Sequence, residues 1–189
     1  MTQTAETHST TIHAYEAAHT PLTDLIHDVP SEAWQADSPC DGWTARDVVV
    51  HMIDSQYDFL TSHGVDLGPS TREEPDTLAA WDRHSAAIRQ AIADDEAMAA
   101  TFEGHFGTTG VGDTFVRFYV WDMIPHRWDI ARSAGRDTTF SPAELDLLEA
   151  GIDGFGDALY MDGICQCGVT APEGADRQTT VLARLGRQA

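Results

Sequence analysis

Apolar residues recur every three or four positions along most of this sequence, which constrains the chain to a mainly helical fold. In residues 12–26, for example, Ile12, Tyr15 and Ile26 fall on one face of an α-helix. The same spacing predicts further helices over residues 44–62, 75–94, 112–134 and 141–160. Long helices joined by short and medium connections favour a four-helix bundle with additions.

Two stretches depart from the helical pattern. From Thr101 to Gly107 polar and apolar residues alternate near several glycines, which predicts a short hairpin or an extended crossover. After Gly168 the chain has mostly loop character, and residues 181–185 predict a last short helical turn. We therefore expect a single domain over residues 1–189, mainly α, with a short β or extended insertion and an extra C-terminal helix.

Charge and hydropathy exclude several classes of partner. The chain has 31 acidic and 11 basic residues, a formal net charge of −20, and such a surface repels nucleic-acid phosphates. No apolar run approaches the roughly 18–20 residues that cross a bilayer, and the N-terminus lacks the basic flank and apolar core of a secretion signal. We expect a cytoplasmic protein with neither nucleic-acid nor membrane partners, which could form a homodimer.

The cysteines give no framework for the fold. Cys40, Cys165 and Cys167 leave an odd thiol, and Cys165 and Cys167 are spaced too closely for a zinc knuckle and have no second pair. We expect all three to be incidental reduced thiols.

One carboxylate and two histidines form the candidate site. Asp122 and His126 are four residues apart in a predicted helix and so share a face. His51, in the middle of another apolar helix, could supply a third ligand. Three protein ligands with a position left for water or substrate are typical of catalytic zinc sites. Asp129 continues the stripe of Asp122 and His126.

Each candidate has a plainer interpretation. His51 could be a core histidine with one hydrogen bond. Asp122 lies in an apolar run, where a buried carboxylate is costly without a cation or donors, and neither Arg117 nor Arg127 has the helical spacing to pair with it. His105, in the glycine-rich segment, could lie near the site. None of the remaining histidines shares a helical face with a carboxylate in a way that rivals the pair of Asp122 and His126: His8, His13, His19, His27, His63 and His84.

Two segments resemble a known family. Residues 39–51 have the sequence Pro-Cys-Asp-Gly-Trp-Thr-Ala-Arg-Asp-Val-Val-Val-His. They are similar to the motif PC-x-GW-T-x-RD-x-x-x-H of the mycothiol-dependent maleylpyruvate isomerase N-terminal family. This family lies within the DinB-like metal-binding superfamily. Residues 122–132 resemble the same family's D-x-x-x-H-x-WD-x-AR helix, and residues 172–187 resemble the ending of its single-domain branch.

The resemblance implies a DinB-like four-helix bundle with a divalent metal at one end, usually zinc, with nickel known among relatives. The family's ligands carry over onto His51, Asp122 and His126. Trp43 and Asp129 are then expected to line the cofactor site, with Asp129 orienting a ligand imidazole. The resemblance implies no catalytic residue beyond the metal ligands.

The sequence also departs from the full isomerase. That enzyme has Glu where this chain has Asp122, and a second domain for which a chain ending at Ala189 has no room. We therefore expect not the isomerase itself but a metal-dependent enzyme that uses a mycothiol-like thiol, most simply a thiol S-transferase acting on an electrophile. A non-catalytic metal- or ligand-binding protein, a thiol-dependent isomerase and a hydrolase using metal-bound water remain alternatives.

Overall fold

The computed structural model describes residues 2–104, 107–161 and 164–188, with residues 2–9 described by their backbone alone. Its fold is mainly α, with a small two-stranded insertion, as predicted. The helices in chain order are α1 (Thr2–Asp28), α2 (Ala45–Ser62), α3 (Thr77–Ile92), α4 (Asp95–Ala99), α5 (Val111–Thr114), α6 (Trp121–Ser133), α7 (Pro142–Phe155) and α8 (Arg177–Arg184). Short 3-10 helices cover Ser31–Gln35 and Gly156–Tyr160.

Four helices form the bundle. Helix α1 contacts α3 and α6, and α2 contacts the same two helices, so α1, α6, α2 and α3 close a ring. One hydrophobic cluster fills its centre, and Tyr15, Trp81 and Phe115 are completely buried in it. The predicted neighbourhood of residues 45–61 and 113–133 is confirmed, because α2 packs on α6. None of the described helices is both long and apolar enough to cross a bilayer.

Capping residues determine where α2 and α7 begin. Thr44 caps α2: its side chain accepts from the backbone of Asp47, whose own carboxylate accepts from the backbone of Thr44. Ser141 and Glu144 make the same reciprocal cap at α7, with Pro142 in the first turn. Both caps follow from local sequence, because Thr44 precedes Asp47, and Ser141 precedes Glu144, by three residues.

The insertion is a hairpin. Strand β1 (Thr101–Gly104) pairs antiparallel with β2 (Gly107–Gly110), and Thr101 lies opposite Gly110. The two residues between the strands, His105 and Phe106, lie outside the described residues.

Three boundaries differ from the prediction. Helix α1 begins at Thr2 rather than near Ile12, because the polar residues before Ile12 include no helix breaker. The fifth predicted helix gives way to a 3-10 helix at Gly156, whose φ of 54° ends the α-helix. The C-terminal turn is a full helix, α8, because Asp176 caps it four residues earlier than the apolar pattern indicates.

Helix α7 packs against α6 through an indole. The Nε1–H of Trp121 donates to the carbonyl of Leu147 at 3.0 Å, and the ring lies directly over Gly151, where an added Cβ would be 2.3 Å from Nε1. One helical turn later, Gly154 has ample space, since an added Cβ would come no closer than 4.0 Å to Arg117. Gly151 is therefore required for the α6–α7 contact, whereas Gly154 is not.

We expect Gly151→Ala to lower the free energy of unfolding by about 1–3 kcal/mol, because the methyl group forces Trp121 away from α7. The matched variant Gly154→Ala should change stability by less than about 1 kcal/mol, in the stabilising direction, because Ala favours a helix more than Gly. Urea unfolding of both variants tests this. Equal effects of the two substitutions would contradict the packing argument.

Candidate metal centre

Three side chains from two neighbouring helices converge at one point. His51 lies in the middle of α2, and Asp122 and His126 lie one turn apart on α6. Oδ2 of Asp122 is 3.2 Å from Nε2 of His51 and also 3.2 Å from Nε2 of His126. One ligand atom from each residue lies within 4.8 Å of the others. The predicted constellation is therefore assembled.

These distances fit a single metal ion. Zinc binds imidazole nitrogen and carboxylate oxygen at about 2.0–2.2 Å, so ligand atoms at adjacent corners of a tetrahedron lie about 3.3 Å apart. The two distances of 3.2 Å to Asp122 agree with that edge. Two imidazoles and one carboxylate are also a donor set that suits a transition metal better than magnesium or calcium.

A π-helical turn immediately precedes the carboxylate. Residues Phe115–Val120 form a π-helix between α5 and α6, and the N–H of Trp121 bonds to the carbonyl of Val116, five residues earlier. Such turns occur frequently at functional sites, because they change which side chains share a face. The predicted helix over residues 112–134 is therefore continuous in the structure, but its hydrogen-bond register changes in this segment, and Asp122 lies in the first turn after the change.

Asp129 orients the imidazole of His126. Its Oδ2 lies 2.8 Å from Nδ1 of His126, and Asp129 is completely buried. Because a carboxylate only accepts, Nδ1 must donate, so Nε2 is the nitrogen that faces Asp122 and His51. This hydrogen bond is the contact expected of a residue that orients a ligand imidazole.

The electrostatics of the three groups are set by their proximity. Burial alone raises the pKa of Asp122, but His126 and His51 outweigh it and hold this pKa well below its usual range. Burial alone lowers the pKa of His126, but the carboxylates of Asp122 and Asp129 reverse this and raise it well above its usual value. In the absence of metal, a proton on His126 therefore fills the role of the cation.

Arg187 neutralises Asp129. Its Nε and Nη2 lie 2.8 and 2.6 Å from the two carboxylate oxygens, and the ion pair and the hydrogen bond from His126 overcome burial to lower the pKa of Asp129 to about 2. The thiol of Cys40 donates to the same carboxylate at 3.3 Å. Cys40, His126 and Asp129 could also be read as metal ligands, but the guanidinium already supplies the cation there. We interpret this group as support for His126.

Trp43 forms a wall of the site. Its ring centroid lies 4.9 Å from that of His51 and 6.4 Å from that of His126. A tight turn holds it there: the Trp43 N–H bonds to the Cys40 carbonyl, and Gly42 adopts a φ of 76° that favours glycine. The turn therefore directs both Cys40 and Trp43 towards the two histidines.

All five residues expected at the site lie together: His51, Asp122, His126, Asp129 and Trp43. Sequence reasoning missed Arg187 and treated Cys40 as incidental. Cys40 could have been found from its place in the same motif as Trp43, whereas Arg187, 58 residues from Asp129, has no local signal. The expectation for His105 concerns a residue outside the described ranges.

Two further buried histidines belong to the core. His19 bonds to Ser85 at 2.8 Å, and His84 bonds to Gln56 at 2.9 Å. Burial lowers the pKa of each to about 4, so both are neutral near pH 7. They stabilise contacts of α3 with α1 and α2, and neither belongs to a group of potential metal ligands among the described residues.

A large cavity in the described part of the chain is separate from the site. It has a volume of about 1410 Å³ and lies between α1, α6 and α7. Its lining includes Trp121, Ile124 and Arg127, and none of the described residues that form the candidate ligand set. It is therefore not the substrate site of a metal held by His51, Asp122 and His126.

Comparison with known proteins identifies the family. The model of the mycothiol maleylpyruvate isomerase N-terminal domain matches residues 15–131, so the chain belongs to this family. The chain is 27% identical over 130 residues to uncharacterized proteins from two strains of Mycobacterium tuberculosis, covering 68% of this chain and 70% of each relative. No solved structure matches it significantly. The candidate ligands lie inside the matched segment and Arg187 lies beyond it.

We expect protein purified without a His tag to bind one zinc ion. His51→Ala or His126→Ala should each weaken zinc binding by more than ~10- to 100-fold, which is the effect of removing a residue that only hydrogen-bonds to a ligand. The control His27→Ala removes an exposed histidine that pairs with Asp82 outside the site. Chelator competition and elemental analysis measure the effect. Unchanged zinc affinity in both site variants would contradict the ligand assignment.

Zinc affinity should also rise with pH. The raised pKa of His126 means that a proton must leave before the metal binds. Below that pKa, affinity is expected to increase about tenfold per pH unit for each proton released. An affinity independent of pH between 5 and 7, measured at constant ionic strength, would be incompatible with His126 as a ligand.

Proposed function

We propose that this protein is a metal-dependent enzyme that transfers a low-molecular-weight thiol of the mycothiol class to an electrophilic small molecule. One observation carries the proposal. Two imidazole nitrogens and one carboxylate oxygen converge with the spacing of metal ligands, in a chain of a mycothiol-related family. Zinc is the metal that this donor set favours, and nickel is the next candidate.

The three side chains would leave a bound metal with a free position. Three protein ligands leave at least one coordination position open. When bound there, a divalent cation lowers the pKa of a coordinated thiol and so supplies a nucleophile at neutral pH. The protein then needs no separate base.

The geometry supports approach from the side of His51 and Asp122. The side chains of these two residues are 35% and 32% exposed, whereas that of His126 is only 7% exposed. His126 is therefore the buried anchor, and the other two ligands border the opening. The indole of Trp43 provides an apolar surface beside them for the carbon skeleton of a substrate.

In the proposed reaction, the thiol sulfur forms a bond to the electrophilic carbon. The thiol proton passes to solvent, and the leaving group departs with the electron pair of the broken bond. The partners are thus two small molecules, a thiol and an electrophile. Reduced thiols are maintained in the cytoplasm, which is the compartment we propose for this activity.

The test is conjugation by zinc-loaded protein. We expect it to join mycothiol, and less efficiently bacillithiol or glutathione, to monochlorobimane with release of chloride, at a rate above the uncatalysed background. Asp122→Ala should abolish turnover because it removes the carboxylate ligand, and His27→Ala should retain it. Fluorescence of the bimane conjugate follows the rate.

Three other outcomes are informative. Tight thiol binding without turnover across several electrophiles would overturn the transferase in favour of a binding protein. Rearrangement of an electrophile with full recovery of the thiol would instead support a thiol-dependent isomerase. Turnover that needs zinc but no thiol would support a hydrolase.

A further inference from the structure

The candidate metal centre is physically connected to the C-terminal segment, which we define as residues 177–188. The connection runs from Nε2 of His126 through its Nδ1 to Asp129, and from Asp129 to Arg187. Every link in this path is a hydrogen bond of 2.6–2.8 Å. The path therefore joins a predicted ligand to a residue near the end of the described chain.

We propose that Arg187 is a positioning residue of the metal centre, and that zinc binding and docking of the C-terminal segment strengthen each other. This inference rests on the proposed metal site. Arg187 then supports the three ligands without touching the metal, and the C-terminal segment affects the affinity of the site for zinc.

The guanidinium fixes the orientation of Asp129. Nε engages Oδ1 and Nη2 engages Oδ2, a two-point contact that prevents the carboxylate from turning about its last bond. The same Oδ2 accepts from Nδ1 of His126. A fixed Oδ2 therefore fixes the plane of the His126 ring and the direction of its Nε2.

Burial makes this contact necessary. Asp129 is 0% exposed and the Arg187 side chain is 10% exposed, so water cannot replace the guanidinium without opening the site. A buried carboxylate that loses its cationic partner must reorient or rearrange its neighbours. The thiol of Cys40, at 3.3 Å, is too weak a donor to hold Asp129 alone.

The C-terminal segment holds Arg187 in turn. The Arg187 backbone N–H bonds to the Leu182 carbonyl at 2.9 Å, and its Nη1 bonds to the Leu185 carbonyl at 3.1 Å. Leu182 and Leu185 are buried in the core, and the thiol of Cys165 also donates to the Leu185 carbonyl. The segment thus docks as a unit. Because its docked form favours zinc, zinc must favour the docked form by the same factor.

The first experiment measures zinc affinity by chelator competition in Arg187→Gln, Arg187→Lys and Arg184→Gln. We expect Arg187→Gln to bind zinc about 10- to 100-fold more weakly. Arg187→Lys should fall between this variant and the unmodified protein, because an ammonium keeps the charge but not the two-point contact. Arg184, which pairs with Asp153 at the surface, is the matched control, and its variant should stay within about twofold.

The outcomes separate the two proposals. If unmodified protein binds no zinc, the proposed metal site itself is overturned. If it binds zinc tightly and folded Arg187→Gln binds zinc equally well, only the role of Arg187 is overturned. The same conclusion holds if the substitution lowers the stability of the protein but not its zinc affinity. Urea unfolding of the metal-free proteins identifies that case.

A second experiment needs no variant and so remains decisive if Arg187→Gln does not fold. Hydrogen exchange of the C-terminal peptide is compared in the unmodified protein with zinc and with a chelator. We expect zinc to slow exchange at the amides of Gly186 and Arg187, which bond to the carbonyls of Ala183 and Leu182. The control peptide, from α3, should show less slowing. Exchange at Gly186 and Arg187 that zinc leaves unchanged would overturn the coupling.

Discussion

A carboxylate with no access to water, that of Asp129, is the constraint around which the site is organised. A charge buried to this degree is tolerated only with close partners, and Asp129 has three: Arg187, His126 and Cys40. These partners come from the C-terminal segment, from α6 and from the turn before α2. Satisfying one buried charge thus brings together parts of the chain that the hydrophobic core alone would not align.

The packing of α2 on α6 then determines what the site can do. His126 is directed by Asp129, but Asp122 and His51 meet only because the two helices are neighbours in the bundle. The π-helical turn at Phe115–Val120 sets the rotation with which α6 begins, and Asp122 follows it directly. The distance of 3.2 Å between Nε2 of His51 and Oδ2 of Asp122 therefore depends on three things. These are the positions of the two residues in the chain, the packing of the bundle and the local change in helix type.

Much of this was accessible from the sequence, because the signals are local. Apolar spacing predicted the helices, and Thr44, three residues before Asp47, is a local capping signal at the start of α2. The spacing of Asp122, His126 and Asp129 within one helix predicted a shared face. His51 was a candidate third ligand from its place in an apolar helix, and the family resemblance supported it and added Trp43. Each of these predictions depends on residues a few positions apart, or on a motif that contains them.

The features that were missed depend on long-range contacts or on small energy differences. Arg187 contacts Asp129 across 58 residues, and nothing near either residue indicates the pair. The π-helical turn differs from an α-helix by one hydrogen-bond register, which side-chain periodicity over six residues cannot resolve. Cys40 was undervalued because counting cysteines for disulfides does not consider a thiol that donates to a buried carboxylate.

The charges of the assembled centre bear on its proposed chemistry. Asp122 and Asp129 are two anions in contact with His126, and Arg187 offsets one of them. A divalent cation between the neutral histidines and Asp122 would leave the group with one positive charge in excess. In a site whose anchor residues are buried, that excess favours an anionic fourth ligand such as a thiolate over a neutral one. The ion pair between Asp129 and Arg187 therefore limits the negative charge that the protein contributes to the centre. The remaining positive charge would lower the pKa of a bound thiol and so favour its thiolate form.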